Sequence, residues 1–230
     1  MSFTFEPIGY IRSPFKQKFG IPRQSGLVPE IKATMELVSP YNNPDAVVEL
    51  EGYSHIWLQF VFHQAMREQW QPRVRPPRLG GNRSVGVFAS RAPFRPNPIG
   101  LSVVKLESLI VEGDRVELEL SGVDLVDGTP VLDIKPYIPY VESIPDAVAG
   151  FAPNPPQALL AVRFSEQAES QLAEREGADD LRQLIIGVLE LDPRPAYAEE
   201  DGRVYGFKLY DFDLRWQMAG DEVVVIELAT

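Results

Sequence analysis

The chain contains no cysteine and only two histidines among its 230 residues. The absence of cysteine excludes disulfides, thiolate catalysis and zinc sites built on cysteine, and two histidines are too few for a His-rich metal site. No run approaches the roughly 18 apolar residues that cross a bilayer, and residues 1–6 lack the basic and apolar regions of a signal peptide. We therefore predict a cytoplasmic protein that binds no metal and does not enter the membrane.

Sequence motifs of the common nucleotide-binding folds are also missing. The chain has no Gly-x-Gly-x-x-Gly segment and no P-loop, which excludes a Rossmann dinucleotide site and a P-loop nucleotide site. What is present is 44% hydrophobic and 24% charged residues, a typical composition for a globular protein with a sizeable core.

The net charge of −11 is unevenly distributed along the chain. Residues 1–95 carry 12 Lys and Arg against 7 Asp and Glu, a net of +5, whereas residues 96–230 carry 10 against 26, a net of −16. Seven arginines lie in residues 67–95, where Glu68 is the only acid. Phosphate binding needs a local basic surface, so the distribution predicts contact with nucleic acid or another polyanion. The alternative is a contact between the basic and acidic halves, within the chain or in a dimer.

Residues 78–102 are the most distinctive stretch of the sequence. The apolar run 85–89 predicts a buried strand, and residues 94–100 contain two prolines, Pro96 and Pro98, that exclude helix and central strand. This stiff loop is preceded by Arg91 and contains Arg95. Such a loop can hold an anion or a small ligand at little ordering cost. The alternative is a tight crossover with solvated arginines.

Short β-branched or aromatic segments fill the first 140 residues and predict an all-β sandwich or barrel. In the segment 53–63 the even positions from 56 to 62 are all apolar and predict a core face, whereas the odd positions are mixed and predict a half-polar lining. The predicted strands are residues 3–11, 33–38, 53–63, 85–89, 101–111, 116–120 and 131–135.

The chain changes character after a Pro-rich boundary at residues 139–156. Ser165 is a predicted N-cap for a helix over 166–176, and Asp179 or Asp180 is the predicted cap of a second helix over 181–191. Predicted strands are residues 159–164, 204–209, 212–217 and 223–228. A small α+β unit over 155–230 follows from this pattern.

Several further polar residues are candidates for a site. Asp124, Asp127 and Asp133 could bind a cation or a ligand amine, or serve only as turn residues. Arg194 and Tyr197 could grip a phosphate and stack a base, or only end a helix. A structural role for His63 is the alternative to a role in a site.

Eight segments carry distinctive motifs: residues 8–14, 22–24, 61–64, 75–82, 85–102, 124–137, 192–197 and 210–216. They span essentially the whole chain, with mild local variation at Ala92 and Leu101. Together they resemble the TsaA/TrmO family of S-adenosylmethionine-dependent tRNA methyltransferases.

The resemblance implies a mainly β fold. Its N-terminal domain, residues 1–145, would be a single-sheet antiparallel β-barrel, followed by a small α+β C-terminal domain at 155–230 in a homodimer. The implied reaction moves the methyl group of S-adenosylmethionine to N6 of threonylcarbamoyladenosine at position 37, in the anticodon loop of threonine tRNA. The implied cofactor contacts are Pro22, Arg23, Gln24, His63, Gln64, Arg91, Leu101, Ser121, Gly122, Val123 and Asp124.

Chemistry at N6 suggests further roles within this resemblance. A general base would help because a proton must leave N6, and Asp127, Asp133 and His63 are candidates, although positioning alone could suffice. The candidate tRNA-binding residues are Arg67, Arg75, Arg78, Arg95, Lys135, Arg194 and Tyr197.

Two rival functions fit parts of the pattern. A non-catalytic RNA-binding or ligand-sensing β-barrel needs the basic surface but not the cofactor site, and a structural dimerisation barrel needs neither. Cofactor affinity separates the enzyme from both rivals, and tRNA affinity separates the rivals from each other.

Overall fold

A computed structural model describes residues 2–154, 160–194 and 202–229. The described residues form a barrel, a four-stranded sheet and a two-stranded ribbon. The strands are β1 (Gly9–Arg12), β2 (Lys32–Leu37), β3 (His55–Val61), β4 (Arg73–Val74), β5 (Val85–Gly86), β6 (Ile99–Glu112), β7 (Arg115–Ser121), β8 (Pro130–Pro136), β9 (Ala161–Phe164), β10 (Val204–Leu209), β11 (Phe212–Ala219) and β12 (Glu222–Ala229). The helices are α1 (Pro139–Glu142), α2 (Glu166–Ala173) and α3 (Ala178–Glu190).

Six antiparallel strands close into the barrel in the order β1-β2-β7-β6-β3-β8. Closure leaves no free sheet edge, and alternate side chains fill the interior. Ile56, Leu58 and Phe60 on β3 are buried, as their even positions predicted. A hairpin turn at residues 113–114 joins β6 to β7. The mainly β fold with a closed antiparallel barrel is therefore confirmed.

One end of the barrel depends on a glycine facing an aromatic ring. Gly100 on β6 lies opposite Phe60 on β3 in the strand register. A Cβ atom at position 100 would lie only 2.2 Å from the Phe60 ring. The ring of Phe60 in turn packs edge-on against Phe62 at a centroid distance of 5.1 Å. Only glycine at position 100 leaves room for this aromatic pair.

The C-terminal sheet has the order β10-β11-β12-β9 and is covered by α2 and α3. The predicted N-cap of α2 is confirmed, because the Ser165 hydroxyl accepts a hydrogen bond from the Ala168 amide at 3.1 Å. The predicted cap of α3 is wrong. The helix begins after Gly177, and Asp179 and Asp180 lie within its first turn. Negative charges there interact favourably with the helix dipole.

The C-terminal sheet and α3 pack directly on the N-terminal segment. The Tyr210 amide donates to the Pro14 carbonyl at 2.7 Å, and Phe15 forms a bridge with Leu209. On α3, Gly187 lies against Val28 so closely that a Cβ atom would come within 2.8 Å of its side chain. One continuous hydrophobic cluster therefore contains residues of both parts of the chain.

Two predicted strands were drawn too long. Of residues 85–89, only Val85 and Gly86 form a strand, paired with the two-residue β4, and Val87–Ala89 is a 3₁₀ turn. Of its residues, Val87 alone is buried, so the run has no continuous core face. The predicted strand over 3–11 begins only at Gly9, because Phe3 and Phe5 are exposed and Pro7 has no amide to donate.

The packing at Gly100 predicts a selective loss of stability. Gly100→Ala should lower the free energy of unfolding by about 1–3 kcal/mol, since the added methyl group overpacks the barrel end. A drop in the urea midpoint at constant m-value would report this. Gly52→Ala is the matched control, because a Cβ atom there meets nothing within 4 Å. Equal midpoints for the two variants would contradict the packing account.

Candidate active site

A cavity of about 500 Å³ opens at the end of the barrel near Phe60. This volume is in the range of small-molecule sites. Its walls come from the end of β3, the start of β6 and loops next to the barrel strands. The lining segments are residues 18–24, 60–65, 90–95, 99–102 and 124–129, although not every residue of each contributes.

A pair of backbone hydrogen bonds fixes the loop that carries Pro22, Arg23 and Gln24. The Gly26 amide donates to the Gly122 carbonyl at 2.8 Å, and the Gly122 amide donates to the Ile31 carbonyl at 2.9 Å. Gly122 has φ +69°, and a Cβ atom there would lie 3.3 Å from the Gly26 backbone. The turn after β7 therefore holds this loop against the barrel, and only glycine allows the close approach.

The predicted contacts at Ser121, Gly122 and Val123 do not line the cavity. The Ser121 hydroxyl donates to Glu107 at 2.6 Å, and Val123 is buried in the core. These residues position the loop and Asp124. The other eight predicted cofactor contacts all lie in the cavity lining. They are Pro22, Arg23, Gln24, His63, Gln64, Arg91, Leu101 and Asp124.

Two arginines of the Pro-rich region face the cavity in different ways. The Arg91 guanidinium donates to the side-chain oxygen of Gln24, which connects two loops that are distant in sequence. The Arg95 guanidinium donates to the carbonyls of Ser90 at 2.7 Å and Val87 at 3.1 Å. Arg95 thus holds the loop together, whereas Arg91 is exposed and presents a charge at the cavity.

Among the described residues, Asp124 is the only carboxylate in the cavity lining. The Ser102 hydroxyl donates to its Oδ1 at 2.8 Å. Burial raises the pKa of Asp124, although the Ser102 hydrogen bond and the charge of Arg91 act in the opposite direction. A carboxylate in this setting is an acceptor for an N–H group or a cation of a bound ligand.

Ser102 is a site residue that the sequence analysis missed. It is one of four buried polar residues in the described chain and lies on the inward face of β6, between Gly100 and Val104. A serine in an otherwise apolar inward row was the available signal, because a buried hydroxyl requires a partner.

The lining matches the chemistry of S-adenosylmethionine. Half-exposed Leu101 and its neighbour Ile99 provide an apolar wall for a purine ring. Asp124 provides an acceptor for amino groups, and Arg91 provides a cation for a carboxylate. The cavity therefore combines the three kinds of contact that an adenosyl amino acid requires.

Asp127 and Asp133 lie outside this cavity, contrary to their proposed role as bases. The Asp127 carboxylate accepts from the Ser13 amide at 3.0 Å and pairs with Lys16 at 2.9 Å, beside a separate depression. Asp133 pairs with Lys135 at 2.6 Å and is half exposed. Both carboxylates thus have local structural partners, and His63 is the one candidate base in the cavity lining.

The candidate tRNA-binding residues are spread over three regions. Arg67, Arg75 and Arg78 are exposed on the segment 67–95, which we call the arginine-rich loop, and Arg95 holds that loop at the cavity. Arg194 forms two hydrogen bonds of 2.8 Å with the Asp192 carboxylate. Tyr197 lies outside the described residues. Lys135 is the member that pairs with Asp133.

Two kinds of feature are missing from the described part of the chain. None of its helices has the length and apolar character to span a bilayer. No group of three or more His, Asp or Glu side chains is arranged to hold a metal ion there.

Comparison with known proteins gives matches over nearly the whole chain. The tRNA-methyltransferase O N-terminal domain matches residues 10–143, and the TrmO C-terminal domain matches residues 157–230. The tRNA (adenine(37)-N6)-methyltransferase of Escherichia coli K12 is 52% identical over 98% of both chains. A Pseudomonas aeruginosa protein provisionally named S-adenosylmethionine-dependent methyltransferase RcsF is 49% identical over 100% of this chain and 99% of its own. A crystal structure of TrmO from P. aeruginosa superposes on this chain with a TM-score of 0.83 at 44% identity. The superposition covers 100% of this chain and 99% of the other.

Asp124 generates a prediction in which affinity and stability change in opposite directions. Asp124→Asn should weaken S-adenosylmethionine binding about 10- to 100-fold, because a charge-assisted hydrogen bond is lost. The asparagine oxygen can still accept from Ser102. Folding raises the pKa of Asp124, so its charged form destabilises the folded state. This destabilisation begins as the pH rises above the unfolded pKa and is complete above the folded pKa.

The variant should therefore have an equal or higher Tm than the wild type at pH 7.5, and this gain should vanish as the pH falls below the unfolded pKa of about 3.9. Titration calorimetry and thermal unfolding would measure the two effects. A matched substitution, Asp133→Asn, should leave the affinity unchanged. Unchanged affinity in Asp124→Asn would contradict the assignment of this carboxylate.

Proposed function

Because the chain belongs to the TrmO family of tRNA methyltransferases, we propose that it methylates N6 of threonylcarbamoyladenosine at position 37 of a threonine tRNA. At the coarser level it is an S-adenosylmethionine-dependent tRNA (adenine-37 N6)-methyltransferase. The observation that supports a methyltransferase is the cavity itself, whereas the threonylcarbamoyl group and the threonine tRNA are proposed from the family resemblance. The cavity combines an apolar wall, a half-buried carboxylate and an exposed arginine, and it adjoins the arginine-rich loop.

Each side of the cavity has a proposed part in holding the cofactor. Bound S-adenosylmethionine supplies a methyl group on a positively charged sulfonium. A guanidinium repels that charge at short range, so we place Arg91 at the ribose or carboxylate end. Asp124 accepts from an amino group, and Leu101 packs on the adenine. The Gly26–Gly122 hydrogen bond holds the loop of Gln24 in place, so that Gln24 can accept the hydrogen bond from Arg91.

Exclusion of water and accurate placement are the main contributions expected from the protein. In the modified adenosine the N6 lone pair is delocalised into the carbamoyl group, and its N–H is more acidic than in adenosine. His63 lies in the cavity lining and is the proposed acceptor for that proton. Placement of N6 in line with the methyl group would supply much of the acceleration.

The arginine-rich loop is the proposed contact for the tRNA backbone. Within the described chain, no carboxylate forms an ion pair with any of the seven arginines between residues 67 and 95. Apart from Arg91, which we assign to the cofactor, their charges are thus available to phosphates. Arg194 with Tyr197, and Lys135, would extend this contact. We propose a homodimer, because the family resemblance implies one, and a cytoplasmic location, as predicted from the sequence.

Transfer of radiolabelled methyl groups from S-adenosylmethionine to threonine tRNA tests this function. Incorporation is expected only when adenosine 37 carries the threonylcarbamoyl group. Equal incorporation without that group would contradict the proposed substrate. Tight tRNA binding with no incorporation into either tRNA would favour the non-catalytic RNA-binding barrel.

Arg91→Ala should lower kcat/KM for methyl transfer about 10- to 100-fold through a higher KM for the cofactor, because an ionic hydrogen bond of about 1.5–3 kcal/mol is removed. Arg163→Ala is the matched control, since this exposed arginine pairs with Glu222 on the C-terminal sheet. Equal losses in the two variants would indicate a general charge effect and would contradict a specific role for Arg91.

A further inference from the structure

Two large aromatic side chains are exposed side by side on the arginine-rich loop. Trp70 is 47% exposed and Phe88 is 70% exposed. Their rings are stacked, with centroids 6.2 Å apart and an angle of 20° between the planes. Exposed, preorganised aromatic faces are uncommon on a surface that contacts only water, and they mark sites of interaction.

The loop that carries this pair is built firmly. The Val87 amide donates to the Pro72 carbonyl at 3.0 Å, and the Gln71 amide donates to the Phe94 carbonyl at 3.1 Å. The β4–β5 ribbon lies beside these bonds. Both rings are therefore attached next to residues with fixed backbone partners, so a ligand that stacks on them meets little ordering cost.

Positive charge surrounds the same pair. The Arg95 guanidinium lies 5.5 Å from the centroid of the Phe88 ring, and the Arg67 guanidinium lies 3.9 Å from that of Phe94. Exposed aromatic faces among unneutralised arginines are the combination that binds single-stranded nucleic acid, because bases stack on the rings and phosphates contact the cations. A second copy of this surface would bring its own arginines and be repelled.

The aromatic pair also lies close to the cavity. Ser90 and Arg95 line the cavity, and Phe88 precedes Ser90 by only two residues. Arg95 is the physical link, since it bonds to the carbonyls on both sides of Phe88 and also lies near its ring. A base stacked on Phe88 would therefore be a near neighbour of a base that enters the cavity.

We propose that Trp70 and Phe88 form a stacking platform for an unpaired base of the tRNA loop, beside the nucleotide that enters the cavity. An enzyme that acts on one base of a loop must hold the flanking nucleotides apart. The platform performs that task by stacking, which tolerates any base, while the arginines hold the backbone. This inference rests on the proposed function for the identity of the RNA.

Binding of two RNA probes to the full-length protein tests the platform. The probes are a synthetic anticodon stem-loop of threonine tRNA and a blunt duplex with the same stem but no loop. Phe88→Ala should weaken stem-loop binding about tenfold or more, and leave both duplex binding and S-adenosylmethionine affinity unchanged. Phe88→Tyr should restore stem-loop binding, and Trp70→Leu should reproduce the loss. The intrinsic fluorescence of Trp70 should be quenched by the stem-loop and not by the duplex.

Tyr140→Ala is the control, because Tyr140 is 87% exposed and lies on α1, outside the arginine-rich loop. Unchanged stem-loop binding in Phe88→Ala, or an equal loss for stem-loop and duplex, would overturn the proposal. A change of Phe88→Ala from dimer to monomer in sedimentation would also overturn it, since Trp70 and Phe88 would then form an interface between copies of the chain. These measurements need no methyl transfer, so the platform can fail while the enzymatic proposal stands, and the reverse.

Discussion

The pairing of β3 with β6 is the constraint on which the site depends. Gly100 leaves space for the Phe60 ring, and the ring forms the inner end of the cavity. Where β3 ends, the chain continues into His63 and Gln64, and where β6 begins, it presents Leu101 outward and Ser102 inward. One antiparallel register thus places a polar turn, an apolar wall and a buried hydroxyl around the same space.

Sequence patterns predicted the parts of this arrangement that local chemistry determines. The apolar even positions of β3 are buried, and Ser165 caps α2, because each depends on neighbours in sequence. The eight predicted cofactor contacts that lie in the cavity lining came from family resemblance, not from periodicity. What the sequence could not predict were contacts over long separations. The Ser102 hydroxyl on β6 donates to Asp124, which follows β7, and the Asp127 carboxylate accepts from the amide of Ser13, 114 residues earlier.

Stability and function compete at Asp124, whereas elsewhere in the site they agree. Burial raises the pKa of this carboxylate, so its charged form costs folding free energy at neutral pH. The hydrogen bond from Ser102 and the charge of Arg91 offset part of that cost. The same desolvation strengthens its attraction for a bound cation or amino group. A destabilising charge next to a firm backbone contact such as Gly26–Gly122 is consistent with a site organised for binding.

The most direct test of the central claim is a crystal structure of the protein soaked with S-adenosylhomocysteine. The account predicts ligand density at the barrel end, with the amino acid or ribose near Arg91, an amino group near Asp124 and the purine against Leu101. The contradicting result is density elsewhere. An acidic depression of about 880 Å³ beside α3, lined by Glu30, Glu174, Asp180 and Asp211 among others, is a larger hollow than the cavity at the barrel end. Ligand bound there would show that the barrel end is not the cofactor site.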